Sequence, residues 1–314
     1  MNGDMDPATA RELQDLLKDG YALLRKGDLP GAAGNCQQAL NKKADLVPAH
    51  FLVGLVALEG KDRKTAFSAF KTVVKLDPDH GAAWAHLAKL YMSEGQVNLA
   101  DSALRETLRT KPNVPVVFDM IGTTLSLMGE YDAAQAFYKQ ATDQKPDHPA
   151  FLQNLANNLV YQGDTEGAEA VFKRIIGLQP DSPQSHWGLA SSIKATDDSH
   201  LKQMRTLAAR HESDARSRAF YLYAIGKEYE DLQQWDQAFE AFSDGAAARR
   251  TTVDYDEDAE IAMFDYLHEQ YTQEWLDTLP EGNPDPSPIF VLGQPRTGTT
   301  LVAVSYTHLT LPTT

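Results

Sequence analysis

Along the first 250 residues, apolar and polar positions alternate with a helical rather than a strand period. Large apolar residues recur three and four positions apart, which places them on one face of a helix. Superimposed on this short period is a longer one. Pro78, Pro112, Pro146 and Pro180 recur every 34 positions, as do Ala66, Ala100, Ala134 and Ala168, with Ala32 one interval earlier. Gly27, Gly95, Gly129 and Gly163 keep the same frame. A period of this length predicts a solenoid of helix–turn–helix units that bury their apolar stripes on their neighbours.

Each unit shows why it needs two helices. A large residue near its start (Trp84, Phe118 or Leu152) is expected to face inward, followed four positions later by a small one (Gly54, Ala88, Gly122, Ala156). The small residue admits a partner helix at close range. That partner carries its own small residue and then a large one: Phe70, Leu104, Tyr138 or Phe172. Proline closes the unit because it has no N–H to continue the helical ladder. The units fall at 13–46, 47–80, 81–114, 115–148 and 149–182, with another at 219–252 marked by Gly226, Tyr229, Ala238 and Phe242. Between them, 183–218 starts in register and loses it at "ATDDSHLKQ", two residues longer than the period.

This pattern resembles the tetratricopeptide repeat (TPR), with small residues at the eighth and twentieth positions and proline at the thirty-second. The resemblance implies an all-α superhelix of about seven units over 1–252, with a groove that receives a protein or peptide. Gln153 and Asn157, one turn apart, are candidates to line it, although the positions equivalent to Asn157 are Lys89 and Thr123 and form no asparagine ladder.

Composition narrows the chemistry. The 29 basic and 44 acidic residues give a net charge of −15, which argues against general nucleic-acid binding and mildly favours a cationic partner. Cys36 is the only cysteine; it excludes an internal disulfide, falls in the slot of Phe70 and its equivalents, and so reads as core. The nine histidines show no metal-binding spacing, and His80 and His148, after Pro-Asp at unit junctions, read as solvated loop residues. The N-terminal residues lack the basic start and apolar core of a signal peptide. No run approaches the ~20 apolar residues needed to cross a bilayer. A cytoplasmic protein is expected.

After the array, 253–279 carries Ile261, Phe264, Leu267, Tyr271 and Trp275 at helical spacing and opens on acidic residues that suit a helix N-terminus, so one bridging amphipathic helix is expected. A Pro-rich linker follows over 280–288. Then Ile289-Phe290-Val291-Leu292 reads as a short buried strand, leading into Gly293-Gln294-Pro295-Arg296-Thr297-Gly298-Thr299-Thr300. Two glycines five positions apart, ahead of a helix start, suit a loop whose backbone N–H groups receive anionic oxygens. Thr299 stands where a Walker loop has lysine, which weakens an ATP or GTP reading, whereas Arg296 supplies a permanent cation within the loop.

The hexapeptide Pro295-Arg296-Thr297-Gly298-Thr299-Thr300, with the strand before it and the repeats upstream, resembles the bacterial TPR-sulfotransferase family. That resemblance implies a 5′-phosphosulfate loop for 3′-phosphoadenosine 5′-phosphosulfate (PAPS), with residues 293–300 holding the cofactor, no metal, and Arg296 neutralising charge on the departing bridging oxygen. It also implies that 289–302 is the truncated start of an α/β P-loop-like domain. The family pattern stops at Val302; "AVSYTHLTLPTT" (303–314) reads as an artefactual tail in which Thr, Tyr and Pro312 oppose a helix. The expectation is a parent enzyme transferring sulfate, a fragment that is itself inactive, and, as the alternative, a non-catalytic TPR scaffold. The acceptor, general base and 3′-phosphate site have no candidates in this chain.

Overall fold

The computed structural model describes residues 6–282, 284, 287, 291–293 and 298–309, the last five of these by backbone alone. It divides into two units, 1–253 and 254–314. The first is the helical array. Its helices are α1 (Pro7–Arg25), α2 (Leu29–Lys42), α3 (Val47–Glu59), α4 (Arg63–Leu76), α5 (Gly81–Ser93), α6 (Val97–Arg109), α7 (Pro115–Leu127), α8 (Tyr131–Gln144), α9 (Pro149–Gln162), α10 (Thr165–Leu178), α11 (Pro183–Ser192), α12 (Ser199–Arg210), α13 (Ala215–Asp231) and α14 (Trp235–Arg250).

The 34-residue frame becomes geometry at three points. Second helices end two or three residues before Pro78, Pro112, Pro146 and Pro180. Between the two helices of a unit, Gly27, Gly95, Gly129 and Gly163 take left-handed φ values of 70 to 85°. Lys61 and Gln233 occupy the same turn with φ 60°. A side chain there costs ~1–2 kcal/mol of local strain, which the flanking helices must offset. Several second helices then start on an aspartate: Asp28, Asp62 and Asp164 accept the backbone N–H three residues on, at 2.9 to 3.0 Å.

The core runs the length of the array as successive apolar clusters. Ala66, Phe70 and Val73 of α4 join Leu87 and Ala88 of α5 and Ile121 of α7; Ala134 and Tyr138 of α8 join Leu152 and Ala156 of α9 and Phe172 of α10. Cys36 is buried as expected, and burial pushes its thiol up to about 11, so it is an inert filler. Trp84, half-buried, packs against the first of these clusters as the inward reading expects, and its Nε1 donates to the Pro78 carbonyl at 2.9 Å, tying the start of one unit to the end of the previous one. His80 differs from the solvated-loop reading: its ring lies 4.7 Å from that of Phe51, and its Nδ1 accepts from Ala83 N at the start of α5.

First helices touch one another, with α1 on α3, α5 on α7, α7 on α9 and α9 on α11, while the second helices make no comparable contact. The array therefore curves with the first helices on its inner side. The sixth unit breaks the pattern: α11 packs on α10 and α13, and α12 packs on α13, so this unit is no ordinary hairpin.

In the second unit, the expected bridging helix is two helices, α15 (Glu257–Gln270) and α16 (Gln273–Asp277). The break has a local cause: Thr272 Oγ1 accepts from Trp275 N at 3.2 Å and starts a new helix. Asp256 caps α15, and its first turn holds Glu257, Asp258 and Glu260, as the macrodipole argument requires. The expected strand is not formed where it can be seen. Val291 and Leu292 have no regular structure, and Ile289 and Phe290 lie outside the described residues. A lone strand has no neighbour to take its N–H and C=O groups. Helix α17 (Thr299–Leu309) runs past Val302 through the segment expected to resist it. The propensity penalties of Thr and Tyr are a few tenths of a kcal/mol each, and Pro312 lies outside the described residues.

The close approach of paired helices is testable. A Cβ added at Gly54 would lie 2.5 Å from the Phe70 ring, and one at Gly122 would lie 2.8 Å from that of Tyr138. The third unit solves the same contact with Ala88 and Leu104. Gly54→Ala should cost ~1–3 kcal/mol in urea unfolding, and adding Phe70→Leu should recover at least half of it. A double variant that loses the full sum of the single losses would show that this contact does not set the spacing.

Candidate functional site

Because α3, α5 and α7 lie side by side on the inner face, their exposed residues form one surface. Between them opens a groove of about 650 Å³. Leu58, Val116 and Met120 give it an apolar floor, and Lys61, Arg63 and Lys89 give it a cationic rim. Val116 is half exposed despite being a β-branched aliphatic. Arg63 pairs with Glu94 at 3.2 Å. Lys89 influences buried Asp119, whose carboxyl is raised by burial and pulled back by a 2.9 Å hydrogen bond from Asn154 Nδ2 and by the charge of Lys89.

His86 lines the groove from below, stacked face to face on Phe70 with ring centroids 4.6 Å apart. Burial lowers its ring to about 4, and the charges of Lys89 and His80 add to that. His86 is thus neutral and part of the apolar floor at pH 7.

Gln153 and Asn157, expected on this face, bond first to each other: Gln153 Nε2 donates to Asn157 Oδ1 at 3.0 Å. Ser185 Oγ donates to Gln153 Oε1 at 2.8 Å, so a polar row crosses from α9 to α11. Together with the Asn154–Asp119 bond, it continues the inner surface beyond the apolar groove with hydrogen-bonding groups.

The predicted phosphosulfate loop is only partly within the described residues. Gln294, Pro295, Arg296 and Thr297 lie outside them. Gly293 has no regular structure, Gly298 takes φ 90°, and Thr299 and Thr300 open α17, with Val302 N donating to Gly298 O at 3.0 Å. The positive φ at Gly298 is one that a residue with a side chain adopts at a cost. Among the described residues no group of three His, Cys, Asp or Glu side chains could hold a metal ion, and no helix is long and apolar enough to cross a membrane.

The sequence pattern did not single out the polar cluster of the sixth unit. His186 and His200 lie 14 positions apart, with Glu228 another 28 on, and the structure joins them in one hydrogen-bonded chain. The loss of period at 193–200 was the available signal, since a segment that abandons its apolar frame must satisfy its backbone in another way.

Residues 57–120 and 125–193 match a family model described as tetratricopeptide repeat. A 93-residue stretch is 28% identical to human (Homo sapiens) Superkiller complex protein 3, covering 30% of this chain and 6% of that protein. A 109-residue stretch is 32% identical to an uncharacterized protein of Aquifex aeolicus, covering 34% of this chain and 14% of the relative. The chain thus spans a small part of the curated relatives it matches. Among solved structures, Pseudomonas aeruginosa pilF aligns with a TM-score of 0.52 at 14% identity, over 74% of this chain and 99% of that one. The Cut9–Hcn1 hetero-tetramer of the APC/C gives 0.54 at 13% identity, over 74% and 42%. These likenesses are ones of fold.

The His86 environment predicts a pH effect. Its folded value lies below the ordinary 6.5, so the unfolded chain takes up a proton first as pH falls. Stability from this residue should be complete above pH 6.5 and should drain away between 6.5 and about 4, by roughly 1–3 kcal/mol. Chemical denaturation across that range should show the slope in wild type, and His86→Leu should flatten it. The helical hairpins over 57–193 thus match tetratricopeptide repeats, and the hairpins on either side stack with them in one array.

Proposed function

We propose that the array is a protein-binding scaffold, and that the groove across α3, α5 and α7 takes an extended peptide with an acidic residue beside aliphatic ones. The groove itself carries this reading: an apolar floor of Leu58, Val116 and Met120 framed by Lys61, Arg63 and Lys89. On a chain of net charge −15, a local cationic rim runs against the overall field, so the acidity of the whole chain does not choose the ligand at this site. The apolar floor supplies affinity, and the rim supplies orientation and rate.

Fluorescence polarisation against an array of twelve-residue acidic–aliphatic peptides tests it. Lys89→Glu should weaken the tightest binder about tenfold and steepen nothing in the unfolding curve, while Val116→Asp should weaken it at constant salt dependence. Binding unaffected by both substitutions, with circular dichroism unchanged, would remove the groove from this role.

A second reading rests on the left-handed φ of Gly298 immediately before the helix that opens at Thr299. That arrangement supports an anion-receiving loop over 293–300, as in the sulfotransferase resemblance, with PAPS as donor and Arg296 beside the bridging oxygen. Sulfuryl transfer of this kind works through alignment and charge stabilisation. In a parent protein carrying the whole domain, Arg296→Ala should cut transfer from radiolabelled PAPS by orders of magnitude, and an unchanged rate would take Arg296 out of the site. The 314-residue chain should bind PAPS weakly and transfer no sulfate.

A further inference from the structure

Helix α11 has 10 residues, whereas the first helices of units two to five have 13 or 14. After it the chain runs irregularly to Asp198, and α12 packs on α13 and makes no comparable contact with α11. Met204, Leu207 and Ala208 seat the middle and end of α12 in an apolar cluster with Tyr221 and Ile225 of α13. The first turn of α12 lies outside that cluster. His200 ties it down, reaching α11 on one side and α13 on the other.

Three hydrogen-bonding gaps follow one another through this residue. His186 Nε2 lies 2.9 Å from the Pro180 carbonyl, His186 Nδ1 lies 2.8 Å from His200 Nε2, and His200 Nδ1 lies 2.5 Å from Glu228 Oε1. Each gap needs one hydrogen, and neither a carbonyl nor a carboxylate has one to give. Two neutral imidazoles bring two hydrogens for three gaps. The chain is complete when one further proton is present. Burial, the largest influence on His186, opposes a charge on that ring, so the further proton sits in the short gap between His200 and Glu228. Remove it, and one gap brings two lone pairs face to face inside the protein, however the ring hydrogens are arranged. Glu228 has no reserve against this. Its other oxygen, Oε2, is buried and has no hydrogen-bond partner among the described residues, in a side chain only 3% exposed. A carboxylate left there without a donor is strongly unfavourable.

The other charges around His200 do not replace that proton. On α13, Lys227 donates to the Ile193 carbonyl and to Asp231 Oδ2. On α10, Lys173 pairs with Glu169 at 2.6 Å, and on α12 itself Lys202 pairs with Asp198 at 2.8 Å. In the connecting run, Asp197 accepts from Ser199 N at 2.8 Å, and Lys194 is exposed. At the far end of α12, His211 Nε2 meets Asp181 Oδ1 at 2.7 Å, with Asp214 4.0 Å from its Nδ1. A neutral ring still donates that bond. The two ends of α12 therefore differ in what the loss of a proton does to them.

We propose that His186, His200 and Glu228 form a proton-operated latch, which holds the first turn of α12 against α11 and α13 while the third proton is in place and releases it when that proton leaves. The closed state keeps a proton that the released state gives up, so closure is complete on the acid side and is lost as pH rises. The latch controls a cavity of about 530 Å³. Ser199, His200 and Gln203 of α12 form one wall of it, and Ile176, Leu189 and Ile193 are the aliphatic part of the others. Release uncovers those aliphatic side chains.

Amide exchange in the full chain tests the latch, read from about pH 6 to about pH 9 and corrected for the base-catalysed intrinsic rate. The amides of Lys202 to Arg205 bond to the carbonyls of Asp198 to Leu201 in the first turn. Their protection should fall about tenfold as pH rises, while that of Leu207 and Ala208 stays level. The ring nitrogens of His186 and His200 should shift in NMR spectra in the same step. Glu228→Gln supplies the third hydrogen from its amide, so it should keep the latch closed throughout and remove both changes. First-turn protection in wild type that stays level over the whole range would overturn the latch, and so would a ring shift at a pH apart from the fall. Neither of these outcomes needs the variant. An equal fall in wild type and in folded Glu228→Gln would overturn it as well.

Discussion

The array depends on how closely the two helices of a unit approach one another. Gly54 faces the Phe70 ring, Gly122 faces Tyr138 and Gly226 faces Phe242, each pair 16 positions apart, and a single added Cβ would collide in all three. The ring fills the space that the small residue leaves, so neither can change size alone. Once that distance is fixed, the unit presents a definite apolar edge to the next one. Phe172 shows the transmission: its ring also meets Gly188 of the following unit, at a spacing that again admits no Cβ. Local packing thereby sets the stacking, and the stacking sets the curvature.

Curvature in turn makes the surface on which function rests. First helices crowd the inner side, so half-buried Leu58 and exposed Lys89 and Val116, each on its own helix, become neighbours across three units. No single repeat contains the groove. This explains why a stripe with little meaning in one helix gains chemistry when the units are stacked, and why the inner face can be apolar and cationic in one part and hydrogen-bonding around Gln153 and Ser185 in another.

How much of this was legible in the sequence follows from the range of each interaction. The units, their prolines and the glycine turns were legible because each is a local requirement repeated in the same frame. Lys61 and Gln233 show the limit: both adopt the glycine conformation, and nothing in their identity announces it, because the flanking helices impose it. The break at Thr272 was missed since an apolar stripe says where a face lies and not whether a threonine hydroxyl interrupts the backbone ladder. The strand expected at 289–292 fails at Val291 and Leu292 for the reason that a strand is a property of pairs. Of the predicted loop, Gly298 and the helix start at Thr299 could be read, and the residues between them and Gly293 fall outside the described part.

The sixth unit carries this reasoning to its end. Elsewhere the second helix of a unit gives its neighbour an apolar face, and the backbone of both is satisfied within the helices. When α11 stops early, the freed groups need donors and acceptors from outside, and α13 supplies them through Lys227 to Ile193, Asp231 to Ala195, Glu228 to His200, and Tyr221 to Asp181. The period accordingly holds at the start of this unit and is lost from Ala195 on, where these polar partners replace the apolar frame. The same replacement concentrates buried polar atoms in one place. A solenoid of identical units would have an inner groove and little else; the departure from identity is what gives this one a largely buried chain of polar side chains.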